Sequence, residues 1–272
     1  MATKDPPRSI PPRGYRDLHE HLAVLEQEGH LRRITRPINK DTELHPLVRW
    51  QFRGGIPERE RKAFLFEHVT DGKGRRYEMP VAVGALSANR WIYALGLGCP
   101  VEEIGRKWRE AVANPLKPLT VSQGVCHEVV RIGAELDRPG MGLDALPMPI
   151  STPGFDNAPY VTAAAWISRD PDTGAQNVGC YRAQLKGRRR LGMNPSVDLV
   201  PGIYVHWKKY RERGQPLPAA LVIGAPPVVN YTAVQKLPLD VDELAVAGAL
   251  AGAPLHLVPA RTVDLLVPAE AE

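Results

Sequence analysis

The apolar positions of the first 115 residues alternate between helical and strand spacing. Leu18, Leu22 and Leu25 fall on one side of a helix that Asp17 opens, with Glu20 completing a capping box, and that Gly29 ends. Leu31 to Ile38 reads as a strand. Thr42 is placed to cap a second helix running toward Trp50, with Pro46 in its first turn. Ala63 to Val69 and Pro80 to Leu86 have the length and apolar density of buried strands. Ser87 then caps a helix through Trp91 and Leu95. Pro100 stands at the first position of another, Val101 to Ala113, with Ile104, Trp108 and Val112 on one side. Strands alternating with helices predict an α/β unit.

After Asn114 the texture changes. PLKPLT reads as a linker, and shorter strand-like pieces follow: Cys126 to Ile132, Tyr160 to Ser168, Asn177 to Leu185 and Ala219 to Ile223. Asp170-Pro and Thr173-Gly between two of them predict a hairpin. A helix is expected near Gly202 to Arg213. The whole reads as an α+β chain: an arm over 1–14, an α/β domain over 15–115, and a β-rich barrel or sandwich over 116–272. Val263 to Glu272 looks like a strand entering another element, so a structured segment is expected to be cut there.

Composition narrows the classes. The chain has 272 residues, 43% of them hydrophobic and 24% charged, which excludes wholesale disorder. No apolar run reaches the roughly 18 residues that a membrane span needs, and the N-terminus has no secretory pattern. The 3 cysteines, Cys99, Cys126 and Cys180, lie far apart without a CxxC pair, which favours a reducing cytoplasm over a disulfide framework or a zinc knuckle. A net charge of +5 suits a phosphorylated ligand without selecting one.

P-loop, GxGxxG, HExxH and GxSxG signatures are absent, so an enzyme here would need another chemistry, or a cofactor that supplies it. Three constellations carry chemistry. In Asn177-Val-Gly-Cys-Tyr-Arg182, alternation puts Asn177, Gly179 and Tyr181 on one face and Val178, Cys180 and Arg182 on the other. A bulge at Gly179 would turn Asn177 and Arg182 toward one cavity. There Asn177 would offer an oxygen to a hard cation, and Arg182 a fork to a carboxylate or phosphate. The plainer reading is an ordinary hairpin strand. Asp240, Asp242 and Glu243 open an apolar helix. Capping explains the aspartates, and Glu243 differs only if it points into a pocket as a metal ligand. The run Lys186 to Arg190 reads as phosphate-gripping or as a solvated turn. Trp207 reads as core or half-core, and His206, beside Lys208 and Lys209, as surface.

Taken in order, these segments resemble the UbiD family of prenylated-FMN-dependent (de)carboxylases. The resemblance runs through Asp17-Leu-His-Glu-His, Asp156-Asn-Ala-Pro-Tyr160, Asp170-Pro-Asp-Thr-Gly, Asn177 to Arg182, Gly224-Ala-Pro-Pro, Leu237 to Glu243 and Asp264 to Glu272. It implies an N-terminal α/β domain followed by a split, flavin reductase-like β-barrel that binds prenylated FMN. A further C-terminal domain would have no counterpart here. It implies a flavin phosphate held through Mn²⁺ or Mg²⁺, with K⁺ nearby, and usual protein ligands Asn, His and Glu. Asn177 and Glu243 match two of these, and Arg182 matches the arginine of the family's catalytic network. Val178, Gly179, Cys180, Tyr181 and Lys236 join the cofactor-binding set.

Two departures follow from the same resemblance. The metal histidine is missing from Asn194-Pro-Ser-Val-Asp-Leu-Val200, where Asp198 is the nearest substitute. The family's catalytic glutamates lie beyond the last strand, and Glu270 and Glu272 belong to the strand motif instead. The chain is therefore expected to be shortened, one subunit of a split enzyme, or a cofactor-binding relative without chemistry. Its substrate would be an aromatic or α,β-unsaturated carboxylic acid. Its partner would be a homo- or hetero-oligomeric chain supplying the missing part. The alternative is a non-catalytic scaffold subunit; nucleic acid and membrane are not expected partners.

Overall fold

The computed structural model describes residues 17–238 and 241–272. The expected arm over 1–14 and the expected capping role of Asp240 lie outside the described residues. The N-terminal part runs α1 (Leu18–Gln27), β1 (Leu31–Ile34), β2 (Ile38–Asn39), α2 (Leu44–Arg53), β3 (Ala63–Phe66), β4 (Val69–Thr70), β5 (Arg76–Tyr77), β6 (Val81–Val83), α3 (Arg90–Leu97) and α4 (Ile104–Ala113). There follow β7 (Leu119–Thr120), β8 (Tyr160–Val161), β9 (Ala165–Arg169), β10 (Gln176–Cys180), β11 (Ala183–Gly187), β12 (Arg190–Met193), α5 (Gly202–Glu212), β13 (Ala219–Val222), α6 (Pro227–Ala233), α7 (Glu243–Ala251), β14 (His256–Pro259) and β15 (Leu266–Pro268).

The fold is mixed α and β, as the apolar pattern predicts. In the N-terminal part β1, β3 and β6 form one sheet and β2, β4 and β5 another. Helices α1 and α3 close a core of Leu25, Leu31, Leu65 and Ile92, while α2 packs Leu44 and Val48 on Ile38, Phe66 and Val69. Asp17 caps α1 by accepting from the Glu20 N–H at 2.8 Å. The other two caps differ from expectation. α2 begins after Glu43 without a side-chain cap, so Thr42 stands outside it. α3 is capped by Asn89, not Ser87: its Oδ1 accepts from the Ile92 N–H at 2.8 Å while its Nδ2 donates to Arg61. Arg36-Pro37 divides the expected strand Leu31 to Ile38 into β1 and β2, because proline has no N–H for a ladder.

The second part is built on antiparallel sheets ordered β10-β9-β13 and β12-β11-β8, with a third, β15-β14-β7. The predicted hairpin joins β9 to β10. Cys126 to Ile132 is not a strand: Val125–His127 forms a short 3-10 turn and Val129, Val130 and Ile132 are exposed. Helix α7 is apolar on every side over Leu244 to Leu250, and a helix of that kind is stable only when surrounded. It lies in one core with α6, β9, β10, β13 and β14, to which Leu97 of α3 and Ala111 of α4 also belong. That shared core fixes the N-terminal part against the sheet carrying Asn177. No helix among the described residues is long and apolar enough to cross a membrane.

Candidate functional site

Strand β10 pairs with β9 in unbroken register, Asn177 opposite Ser168 and Gly179 opposite Trp166. The expected bulge at Gly179 is therefore absent. The break comes after Cys180, where the Trp166 indole N–H donates to the Tyr181 carbonyl at 2.8 Å and takes it out of the ladder. Gly179 and Tyr181 share a face as alternation requires, since a Cβ at Gly179 would strike the Tyr181 ring.

Helix α7 brings Glu243 to this strand. Asp242 caps it, its carboxylate accepting from the Leu244 and Ala245 N–H groups at 2.9 and 3.2 Å. The next side chain, only 5% exposed, turns inward. Glu243 Oε1 accepts from Asn177 Nδ2 at 2.5 Å, and Oε2 from the Val178 N–H at 3.4 Å. Burial pushes the Glu243 carboxyl up to about 7, against the opposing pull of these donors. The Asn177 Oδ1 is buried without a hydrogen-bond partner among the described residues, a state that costs about 1–3 kcal/mol. Two oxygens of different residues, one of them on a buried carboxyl, suit a hard cation.

The N-terminal turn of α5 presses on the same place. A Cβ at Gly202 would run into the Asn177 amide, so this position requires glycine for close approach. The Ile203 N–H donates to the Tyr181 hydroxyl, and burial with the nearby Glu243 raises that phenol to about 12. His206, read from the sequence as surface, is buried: its Nδ1 lies 2.9 Å from the Ser168 hydroxyl, beneath the Asn177–Ser168 pair. Burial holds its pKa below the usual range. The signal was its spacing with Gly202 and Ile203 along the buried stripe of α5. Trp207 is 41% exposed and stacks with Tyr204, and is thus half-core at most.

The remaining expected residues lie apart from this pair. Arg182 is exposed, its guanidinium 4.6 Å from the Tyr160 ring centroid and its Nη1 3.8 Å from Asp156 Oδ1. Asp156 and Tyr160 belong to a segment noted in the sequence for resemblance but assigned no role. Cys180 is half-buried and its Sγ contacts the Thr162 carbonyl at 3.5 Å. Lys236 donates to the Leu199 carbonyl at 3.3 Å. Asp198 is exposed in the 3-10 turn Val197–Leu199, and among the described residues no group of three His, Cys, Asp or Glu side chains is placed to hold a metal. Arg188 and Arg189 are engaged by Asp144 and Asp137. Glu270 pairs with His256 at 3.0 Å and Glu272 with His19 at 2.6 Å. Two open concavities of about 500 and 580 Å³ flank α4, and neither is lined by Asn177, Arg182 or Glu243.

Residues 22–112 match the family described as the 3-octaprenyl-4-hydroxybenzoate carboxy-lyase N-terminal domain, UbiD_N, and residues 119–272 match the Rift-related domain of the same carboxy-lyase, UbiD. An uncharacterised protein of Aquifex aeolicus is 33% identical over 95% of this chain and 54% of its own length. An evolved dimeric form of the UbiD-class enzyme HmfF from Pelotomaculum thermopropionicum, solved in complex with prFMN, superposes with a TM-score of 0.78 at 34% identity, over 95% of this chain and 56% of that one. The closed form of Sedimentibacter hydroxybenzoicus vanillic acid decarboxylase gives 0.80 at 28% identity, over 95% and 53%. The chain spans about half the length of the curated relatives it matches.

Proposed function

The chain belongs to the UbiD family, and from that premise we propose that it is the cofactor-binding part of a reversible (de)carboxylase acting on an aromatic or α,β-unsaturated acid. The observation that carries the proposal is the Asn177–Glu243 pair: two side chains 66 residues apart meet at 2.5 Å, with a buried carboxyl and an amide oxygen that has no partner among the described residues. In this reading Asn177 and Glu243 would hold a divalent cation and through it the phosphate of prenylated FMN, and Val178, Gly179, Cys180, Tyr181 and Lys236 would complete the cofactor-binding set. With its amide turned so that Oδ1 rather than Nδ2 faces Glu243, Asn177 would present an oxygen beside that carboxylate, which suits such a cation. Asp198, exposed on its turn, would need to move to become a third ligand. The division at about residue 115, with 15–115 as one domain and 116–272 as the other, is part of the same reading.

Prenylated FMN, when bound, supplies the electrophilic centre that takes up the electron pair left behind by CO₂. This chain's own residues orient and hold. Arg182 offers a planar fork to the substrate carboxylate. The Tyr160 ring under the guanidinium restricts its swing while leaving its edge open. In this reading the proton that replaces CO₂ comes from an acidic group other than Glu270 and Glu272, which pair with His256 and His19. A partner chain, or the part of the relatives without a counterpart here, supplies that group and closes the site to water.

The test is to purify the chain after co-expression with a prenylated-flavin synthase and record its absorbance spectrum and metal content. Bound flavin with stoichiometric Mn²⁺ or Mg²⁺ is expected. Glu243→Gln should lose metal and flavin together, since the neutral amide removes the charged ligand. Full metal occupancy in that variant would take Glu243 out of the site. A folded, colourless, metal-free wild-type chain would favour a scaffold subunit instead.

A further inference from the structure

The apolar stripe of α4, Ile104, Trp108 and Val112, is not closed over by the core. Ala111 is the fully buried residue of that helix, and the three stripe residues pack against the core around α7 while staying half-exposed. With Tyr93, Arg109, Gln235 and Leu237 they line the open concavity of about 580 Å³, a size common for small-molecule sites. Its aromatic wall is fixed. The Trp108 indole N–H donates to the Tyr93 hydroxyl at 2.8 Å. The Tyr93 ring meets Tyr231 of α6 edge-on, with centroids 4.5 Å apart and planes at 67°, and the Tyr231 hydroxyl donates to the Leu86 carbonyl at 2.8 Å. The indole has therefore spent its donor and offers a ligand ring surface alone. A ring already held in place loses little freedom when a ligand stacks on it. Arg109 is the one charged residue of the lining. Its guanidinium lies back along α4, where a Cβ at Gly105 would stand 3.5 Å from Nη1. No ion pair engages it among the described residues, whereas Arg106 is held by Glu103 and Glu110 and Lys107 by the Leu97 carbonyl.

The lining bounds its occupant. An extended peptide brings a backbone donor and acceptor with every residue, and two polar side chains, Arg109 and Gln235, cannot satisfy them. One unpaired cation at the margin of an apolar, aromatic groove complements a flat apolar body with one anionic group. We propose that the groove of α4 binds a small aromatic carboxylate, its ring on Trp108 and its carboxylate on Arg109. Gln235 lies within the same lining as a second polar contact. The groove shares no residue with the Asn177–Glu243 pair or with Arg182, so this site stands whether or not the roles proposed for those residues hold.

The experiment follows the tryptophan indole N–H resonances of the full 272-residue chain by NMR as 2-naphthoate is added. The Trp108 signal, one of 5, is assigned through its own backbone, so no variant is needed to identify it. It should shift saturably. Arg109→Met alters an exposed side chain and should leave the fold intact while weakening 2-naphthoate about tenfold. The alcohol 2-naphthalenemethanol, with the same rings and no charge, should bind the wild-type chain more weakly than the acid and bind Arg109→Met equally. Arg182→Met should leave the Trp108 titration unchanged. Absence of a saturable shift at Trp108 overturns the proposal, as does equal affinity of wild type and Arg109→Met for 2-naphthoate. Loss of the shift in Arg182→Met would seat the acid at Arg182 and overturn it too. A Trp108 signal that moves with protein concentration and not with 2-naphthoate would make the groove a contact between copies of the chain, again against the proposal.

Discussion

Asp242 and Glu243 are adjacent carboxylates at one helix start with opposite fates. Asp242 accepts two backbone N–H groups on one oxygen, Oδ1, and stays at the helix end. Glu243 is carried inward by the next increment of helical turn and meets Asn177. The residue types alone allowed capping for both, and only the third dimension separates them. Arg182 shows the same limit from the other side. Its place on β10's continuation was legible, but its neighbours, Asp156 and Tyr160, come from the loop before β8 and the start of that strand, more than twenty residues earlier. The fork geometry predicts what substitution does. Arg182→Lys keeps the charge and loses the paired N–H donors, worth about 1.5–3 kcal/mol when both are used on a carboxylate. Turnover by the active assembly should fall by roughly tenfold to a hundredfold, while flavin absorbance per chain stays at the wild-type value. Parallel loss of both would make Arg182 a ligand of the cofactor.

At the scale of elements, spacing located most helices and strands and misplaced their ends. Alternation from Asn177 to Leu185 looked continuous, yet Tyr181 leaves the ladder because a tryptophan side chain from β9 takes its carbonyl. The strand-like piece Cys126 to Ile132 produced no strand, and its valines and isoleucine are exposed. A pattern of period two needs a neighbouring strand to pair with, and no local feature supplies one. The requirement for glycine at position 202 had no sequence signal at all, since it arises where α5 meets β10. It does carry a prediction. Alanine at the first turn of a helix gains up to about 1 kcal/mol over glycine, but here the added methyl displaces the Asn177 amide, and overpacking costs about 1–3 kcal/mol. Gly202→Ala should therefore leave the fold intact and slightly less stable. With the Asn177 donor pushed away, the ionised Glu243 loses a hydrogen bond, so its carboxyl should titrate above the wild-type value in an NMR titration. A midpoint at or below wild type would mean that Asn177 does not depend on Gly202.

For the whole molecule, the core that surrounds α7 also contains Leu97 and Ala111, so both parts of the chain unfold against one hydrophobic cluster. The buried titratable groups then report on that single transition. Glu243 titrates near 7 in the folded chain against a reference of 4.5. Between those values the folded state holds a proton that the unfolded state has released, so this group's contribution falls as pH rises and is least favourable above 7. His21 acts in the opposite direction. Burial lowers it from 6.5 to about 4, with its Nε2 at 2.7 Å from the Ala85 carbonyl, so the unfolded state takes up a proton first and stability rises with pH over that range. The two slopes oppose each other between pH 4.5 and 6.5, and His206, also lowered by burial, adds to the side of His21. Comparing wild type with Glu243→Gln isolates it, because the histidines are common to both. The difference in unfolding free energy should move in favour of Glu243→Gln by on the order of 3 kcal/mol as pH rises from 4.5 past 7. Denaturant titrations across that range measure it. Mn²⁺ added at pH 7.5 should close the gap by stabilising the wild-type chain more, since the carboxylate supplies the charged ligand that the neutral amide lacks. A difference that is flat with pH would place Glu243 ionised in the folded chain. Equal stabilisation of both proteins by Mn²⁺ would place the cation away from Asn177 and Glu243.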